Sequence, residues 1–365
     1  MNRLRTLLCL LLTLLVASCA QMHEDTDDCP VGLYLTFTYD YNLERADMFS
    51  DHVGAVTVYI FDEEGRYVGK REEANVGDWR PLAAPTYQMH IADLPDGKYR
   101  FLVLAGQKSY EEQLAGPGPK FVRSEPAPGD PMTALGVRLE TSETEHGHEV
   151  VNHGQPLDTL WHGMWTEPVE VKSTRPTYQT ISLVRDTKKI NVTLRELDDP
   201  TTMDVANYDM RIADRNTQIC WDNSLDESLA VIYTPHALWN TYDRTPATDG
   251  SGNPAVRQTE DESVGKMAHA DFMTSRLLWH DNAADDATLS ITNKTTGVEV
   301  VSVNLPDLLS RLTTWEDAQR YTKQEFLDRG YDYQLEFFLK NDRLAYVNIR
   351  ISVLGWAVRW QPVDL

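Results

Sequence analysis

The chain has 365 residues, with 34 Lys and Arg against 56 Asp and Glu and a formal net charge of -22. A field of that sign repels nucleic acid and anionic membrane surfaces, which excludes nucleic-acid binding and unaided adsorption to lipid as roles. The sequence holds no basic cluster interleaved with aromatics, no zinc-finger spacing and no P-loop.

The chain opens with Arg3 and Arg5, an apolar run over 7–17, and the small residues Ala17 and Ser18 ahead of Cys19. That order describes a bacterial export signal with a lipobox: the Cys19 thiol takes a diacylglycerol and the peptide is cut before it. No later segment approaches about eighteen apolar residues, so lipid on Cys19 is the expected membrane anchor. Removing the signal peptide 1–18 also removes Arg3 and Arg5, leaving 32 - 56 = -24. Residues 19–28 are polar and acidic, carry too little apolar surface to fold alone, and read as a flexible tether.

Cys9 leaves with the signal and Cys19 is spent on lipid, which leaves Cys29 and Cys220. Outside the cytoplasm these two can pair and staple the start of the folded region to its second half; two separate buried thiols are the alternative. A metal site on them lacks a second close-spaced ligand.

From Cys29 onward the chain is too long for one small core and predicts two domains, 29–185 and 186–365. Short β-branched and aromatic runs dominate both: 31–39, 55–61, 99–105, 169–171 and 181–185 in the first, and 189–195, 229–234, 268–278, 287–292 and 298–303 in the second. Turns rich in Gly, Pro and Asp separate them, and no long helical pattern intervenes, so the fold class is all-β with short helical insertions. Residues 41–49 suggest a short helix or a structured crossover. Residues 111–131, rich in Pro and Gly, read as a long surface loop of the first domain. Leu305-Pro306 opens a helical pattern, and Thr322 with Glu325 predicts a capping box on a second helix stopped by Gly330. Strands over 331–339 and 346–354 and a last run at 356–360 close the chain.

No catalytic, cofactor or metal residues are assigned. His146, His148, His153 and His162 cluster in sequence but lie among Gly, Glu and Asn, without a His-Glu-x-x-His pattern. There is no Gly-x-Ser-x-Gly elbow, and acidic pairs such as Asp198-Asp199 read as solvated loops. Trp161 and Trp165 could form a stacking platform for a sugar, although core packing is the stronger reading.

Several stretches in order carry a resemblance: Cys19, then Asp28-Cys29-Pro30, the run from Leu33 to Asn42, Val56 to Asp62, Thr187 to Leu194, Gln324 to Arg329, and Ile349 to Trp356. Together they resemble the fimbrillin-A-associated anchor proteins of Bacteroidetes. The acidic residues after Cys19 are similar to the surface-export signals of lipoproteins in that phylum, and Asp158-Thr159-Leu160 resembles its O-glycosylation pattern. The resemblance implies two tandem transthyretin-like Greek-key β-sandwich domains. It also implies a subunit held by lipid on Cys19 at the base of a surface fimbria, attaching the polymer to the outer membrane and influencing its length. The implied partner is a fimbrillin-like stalk subunit, contacted by β-strand addition. By analogy and position the contact strand is the C-terminal one, with Tyr346, Val347, Ile349, Ile351, Val353 and Trp356. The competing readings are a surface lipoprotein that binds carbohydrate or a host ligand, and an extracellular hydrolase.

Overall fold

The computed structural model describes residues 30–242, 265–353 and 356–363, with two short paired strands at 247–248 and 254–255. The first half runs through β1 (Gly32–Thr38), α1 (Phe49–His52), β2 (Ala55–Asp62), β3 (Tyr67–Ala74), β4 (Met89–Ile91), β5 (Gly97–Gly106) and α2 (Tyr110–Ala115). It continues through β6 (Phe121–Ser124), β7 (Gly136–Leu139), β8 (Ser142–Thr144), β9 (Gly147–Val150), β10 (Leu160–Val171) and β11 (Pro176–Arg185). Two residues later come β12 (Lys188–Glu196), β13 (Tyr208–Asp214), β14 (Gln218–Cys220), β15 (Leu225–Asp226), β16 (Val231–Tyr233) and β17 (Ala237–Tyr242). The chain then forms β18 (Ala247–Thr248), β19 (Pro254–Ala255), β20 (Lys266–Thr274), β21 (Thr288–Asn293) and β22 (Glu299–Asn304). Helices α3 (Leu305–Ser310), α4 (Trp315–Arg320) and α5 (Lys323–Arg329) lead into β23 (Asp332–Leu339), β24 (Leu344–Val353) and β25 (Trp356–Val363). The fold is mostly β, a stack of several sheets with short helices.

The first sheet has the order β3-β2-β5-β10-β11-β1-β4 and curls around its own core. Leu33 and Leu35 of β1, Met89 of β4, Val58 of β2 and Phe101 of β5 meet in one apolar cluster, although β1 and β2 lie far apart in the order. Side chains alternate between the faces of a strand, so Tyr59, Phe61, Leu102 and Leu104 point the other way, into a second cluster shared with the C-terminal half. A sheet covered on both faces needs strands that are apolar throughout, and β2 is buried at seven of its eight positions.

The second cluster lies between two six-stranded sheets, β17-β20-β12-β23-β24-β25 and β22-β21-β13-β16-β9-β8. Here one face is wet and the alternation is plain: Ile190, Val192 and Leu194 point inward, while Thr193 meets His269 and Arg195 pairs with Glu336 at 2.7 Å on the outer face. Buried leucines of α3 and buried Phe326 and Leu327 of α5 cover one end of this core.

Residues 111–131 differ from the expected surface loop. Ser109 and Glu112 form a capping box that starts α2, and Phe121 of β6 and Met132 are buried in the second cluster. The strands that follow cross between the halves: β7 pairs with β14, and β9 pairs in parallel with β16. Their partners lie about eighty residues downstream, so no local pattern announces the pairing. The α5 cap is one-sided. Thr322 accepts from the Glu325 N–H at 3.1 Å, but the Glu325 carboxylate turns to Arg329 at 2.9 Å instead of closing a box. Helix α4 lies outside the predicted elements and carries the full box, between Thr314 and Asp317.

A fragment ending at Asp186 leaves Tyr59, Phe61, Leu104, Phe121 and Val137 without the partners that cover them. It is expected to bind a hydrophobic dye and to lack a cooperative urea transition, whereas the intact chain shows one; a dye-silent, cooperatively unfolding fragment would contradict this.

Candidate functional site

Two regions stand out: the entry strand and the junction between the halves. Cys19 and Cys29 lie outside the described residues. The described chain enters β1 at Gly32, whose φ of +85° suits glycine; a Cβ there would stand 2.7 Å from the Ile91 carbonyl oxygen. β1 then sits inside the sheet, parallel to β11 over seven registered pairs and antiparallel to β4 over three. Beyond β1, Asp47 Oδ1 accepts from the Tyr39 and Phe49 N–H groups at 2.9 and 3.0 Å. The same loop reaches the other half, where Arg45 pairs with Asp317 at 3.3 Å and Arg329 lies over the Tyr41 ring at 4.0 Å.

The junction 185–188 is buried although it reads Arg185-Asp186-Thr187-Lys188. Groups that cost several kcal/mol to bury alone are here answered by partners from both halves. Lys188 Nζ donates to the Asp328 and Gly330 carbonyls at 2.9 and 2.8 Å. The Asp186 N–H donates to the Leu160 carbonyl at 2.9 Å, and its carboxylate accepts from Asn223 at 3.1 Å. Arg276 grips Asp328 with two bonds of 2.8 and 2.7 Å and also donates to the Asn223 carbonyl. Arg185 lies over the Tyr331 ring at 4.3 Å and the Trp161 ring at 5.7 Å. Burial pushes the Asp186 carboxyl up and the Lys188 ammonium down, each opposed by the oppositely charged groups around it.

His162 belongs to this junction. It is fully buried in β10, donates from Nε2 to the Trp221 carbonyl at 2.9 Å, and is pushed down to about 4, chiefly by burial. It is therefore a neutral structural histidine. His146 and His148 instead line a surface depression with Asp214, Asp286 and Thr288, and His153 occupies a turn at φ +50°. Among the described residues no group of three or more His, Cys, Asp or Glu could hold a metal.

Trp161 is fully buried, edge-on to Tyr39 at 5.8 Å, so it cannot be a sugar platform; Trp165 is partly exposed. Thr159 is also buried, which closes the Asp158-Thr159-Leu160 pattern to modification in the folded protein. Cys220 is partly buried at the end of β14. At the C-terminus, β24 is hydrogen-bonded on both sides, by β23 and β25, and β25 forms the edge of the sheet. Val347 and Ile349 point into the core, and Tyr346 stacks on Phe338 at 4.2 Å. For Ile351, Val353 and Trp356 the structure describes backbone pairing: Ile351 faces Tyr333 and Arg359, and Val353 faces Trp356.

A curled sheet fused to a sandwich, with a buried junction and its N-terminal strand in place, defines a mostly β, multi-sheet class of protein. The model of the fimbrillin-A associated anchor proteins Mfa1 and Mfa2 matches residues 26–362, and the chain belongs to that family. It is an anchor-type fimbrial subunit, a surface-associated outer-membrane component and not an enzyme. Among solved structures it is similar to a candidate adhesin from Bacteroides thetaiotaomicron at 27% identity and TM-score 0.69, covering 91% of this chain and 98% of that one. A candidate polysaccharide-binding protein from the same organism matches at 26% identity and TM-score 0.67, covering 91% and 99%. The fimbrial anchor protein Mfa2 from Porphyromonas gingivalis matches at 16% identity and TM-score 0.55, covering 91% and 99%, a likeness of fold alone. No curated protein matches the chain.

Two predictions follow from the junction's chemistry. An unfolded histidine takes its proton near pH 6.5, whereas His162 does so near 4. The unfolded state therefore binds more protons between these values, and the stability from keeping His162 neutral is present above pH 6.5 and lost as pH falls to 4. The loss is roughly 3 kcal/mol. In urea melts across this range, His162→Gln should have a correspondingly flatter stability profile than the parent; parallel profiles would contradict the assignment. Lys188→Met strands two buried carbonyls and removes the cation near Asp186, and should cost about 3 kcal/mol or more. A variant within about 0.5 kcal/mol of the parent would show that the junction is not held in this way.

Proposed function

We propose that the chain is the lipid-anchored base subunit of a surface fimbria. Lipid on Cys19 holds it to the outer membrane, residues 19–28 form the tether, and β1 carries the attachment into the fold. A fimbrillin-like stalk subunit docks by β-strand addition at the C-terminal sheet, where β25 is the edge strand among the described residues. The subunit ends the polymer, holds it and influences its length.

The observation that carries this reading is the placement of β1. The first described strand after the lipid position is locked into the sheet, with Leu33 and Leu35 fully buried. A strand so placed is suited to bear a permanent attachment and poorly suited to leave. We read the halves as transthyretin-like Greek-key sandwiches meeting near residue 186. In support, each begins with a strand paired in parallel to a late one, β1 with β11 and β12 with β23. The burial of Trp161 removes one of the two rings on which the carbohydrate-binding alternative relied, leaving Trp165 alone.

Deleting the gene should yield cells with fimbriae shed into the medium or abnormally long, seen by electron microscopy and by stalk protein in culture supernatants. Attached fimbriae of normal length would sink the proposal. In the same cells Cys19→Ala should move the protein out of the membrane fraction, and full retention would contradict lipid as the tether.

A further inference from the structure

We propose that the parallel ladders β1–β11 and β12–β23, coupled through the buried junction 185–188, form a force-bearing clamp between the N-terminus and the C-terminal sheet. The direction of the load rests on the anchor reading; the ladder geometry does not.

β1 and β11 run the same way, Gly32 facing Pro176 at one end and Thr38 facing Ser182 at the other. A pull on the N-terminus draws on the start of β1. The opposing pull reaches β11 at its far end, because β11 leads through two residues into β12. The strands are thus drawn past each other along their length. Parallel ladders have evenly spaced bonds, so the seven registered pairs share the load and must fail together. Had the pull entered both strands at the same end, the pairs would open one at a time, each carrying the whole force.

The side chains reinforce this arrangement. Leu33, Leu35 and Phe37 are buried inside the sheet, so sliding β1 by one residue would turn them out to water. On the outer face Tyr178, Tyr34 and His90 stack in a row across β11, β1 and β4, with ring centres 5.2 and 4.3 Å apart. The C-terminal end of β1 is pinned by Asp47, and its loop is tied to the second half through Arg45–Asp317.

The second ladder repeats the geometry. β12 leaves the junction parallel to β23 over eight pairs, from Lys189 facing Asp332 to Glu196 facing Leu339. The load then crosses to β24 and to β25, whose Val363 lies beside Val347, toward the end of the sheet remote from the junction. Between the ladders, Lys188, Arg276 and Asp328 bind the junction to the second half, Arg185 packs it on Trp161 of the first, and beside it His162 of β10 bonds the Trp221 carbonyl across the halves.

Single-molecule pulling on the non-lipidated chain tests this by direction alone, without a destabilising substitution. Handles at the N- and C-termini load both ladders in shear. Handles at the N-terminus and on Ser173, exposed in the turn just before β11, peel β1 from β11 pair by pair. The rupture force should be several-fold higher in the first geometry than in the second. Equal forces, or a weaker end-to-end geometry, would overturn the clamp. Because neither measurement involves a membrane or a stalk, equal forces would leave the anchor reading intact. Normal attached fimbriae in the deletion strain would remove that reading while leaving the ladder result to stand.

Discussion

Four consecutive residues, Arg185 to Lys188, join the two halves, and three of them have ionisable side chains in a place with almost no solvent access. Burying charge is unfavourable unless each group finds a partner in good geometry. Here the partners come from both sides: Leu160 and Trp161 from the first half, Asn223, Arg276, Asp328 and Gly330 from the second. An apolar junction of similar volume could be as stable, but its contacts would not be directional. Hydrogen bonds with fixed acceptors hold the exit of β11 and the entry of β12 in one arrangement, and the registers on either side depend on it.

The first sheet extends the same coupling. Where β2 and β5 are covered on both faces, Tyr59, Phe61, Leu102 and Leu104 belong to the core of the C-terminal half while their alternate neighbours line the first core. Strands β6 to β9 add a second connection, since they lie before residue 186 and pair beyond it. The halves thus share a core, hydrogen-bonded sheets and a junction. For a subunit at the base of a fimbria the consequence is mechanical, because a tandem joined only by a linker would let each half be pulled open separately.

Much of this was legible locally. The alternation over 31–39 became β1, the apolar run at 55–61 became β2, and 189–195 became most of β12. The Pro306 start and the Thr322 cap located α3 and α5, because capping is settled within one turn of chain. What escaped had distant causes. The segment 111–150 is punctuated by Pro and Gly, and its short strands are ordered by partners near residues 219 and 232. Trp161 and His162 read equally as platform and ligand or as core, and only the position of β10 between β5 and β11 decides for core.

By itself the sequence determined several of the strands, β1, β2, β5 and β12 among them, the starts of α3 and α5, and the acidic charge that bars nucleic acid; these depend on side-chain period, local hydrogen bonding and composition. The likeness to fimbrial anchor proteins was also readable there, stretch by stretch. Tertiary structure alone decided that β1 is locked parallel to β11, that residues 121–150 complete the other half, and that a charged junction is buried and answered. Each of those outcomes depends on which surfaces meet across long sequence separations, and a strand's own residues set its faces but not its neighbours.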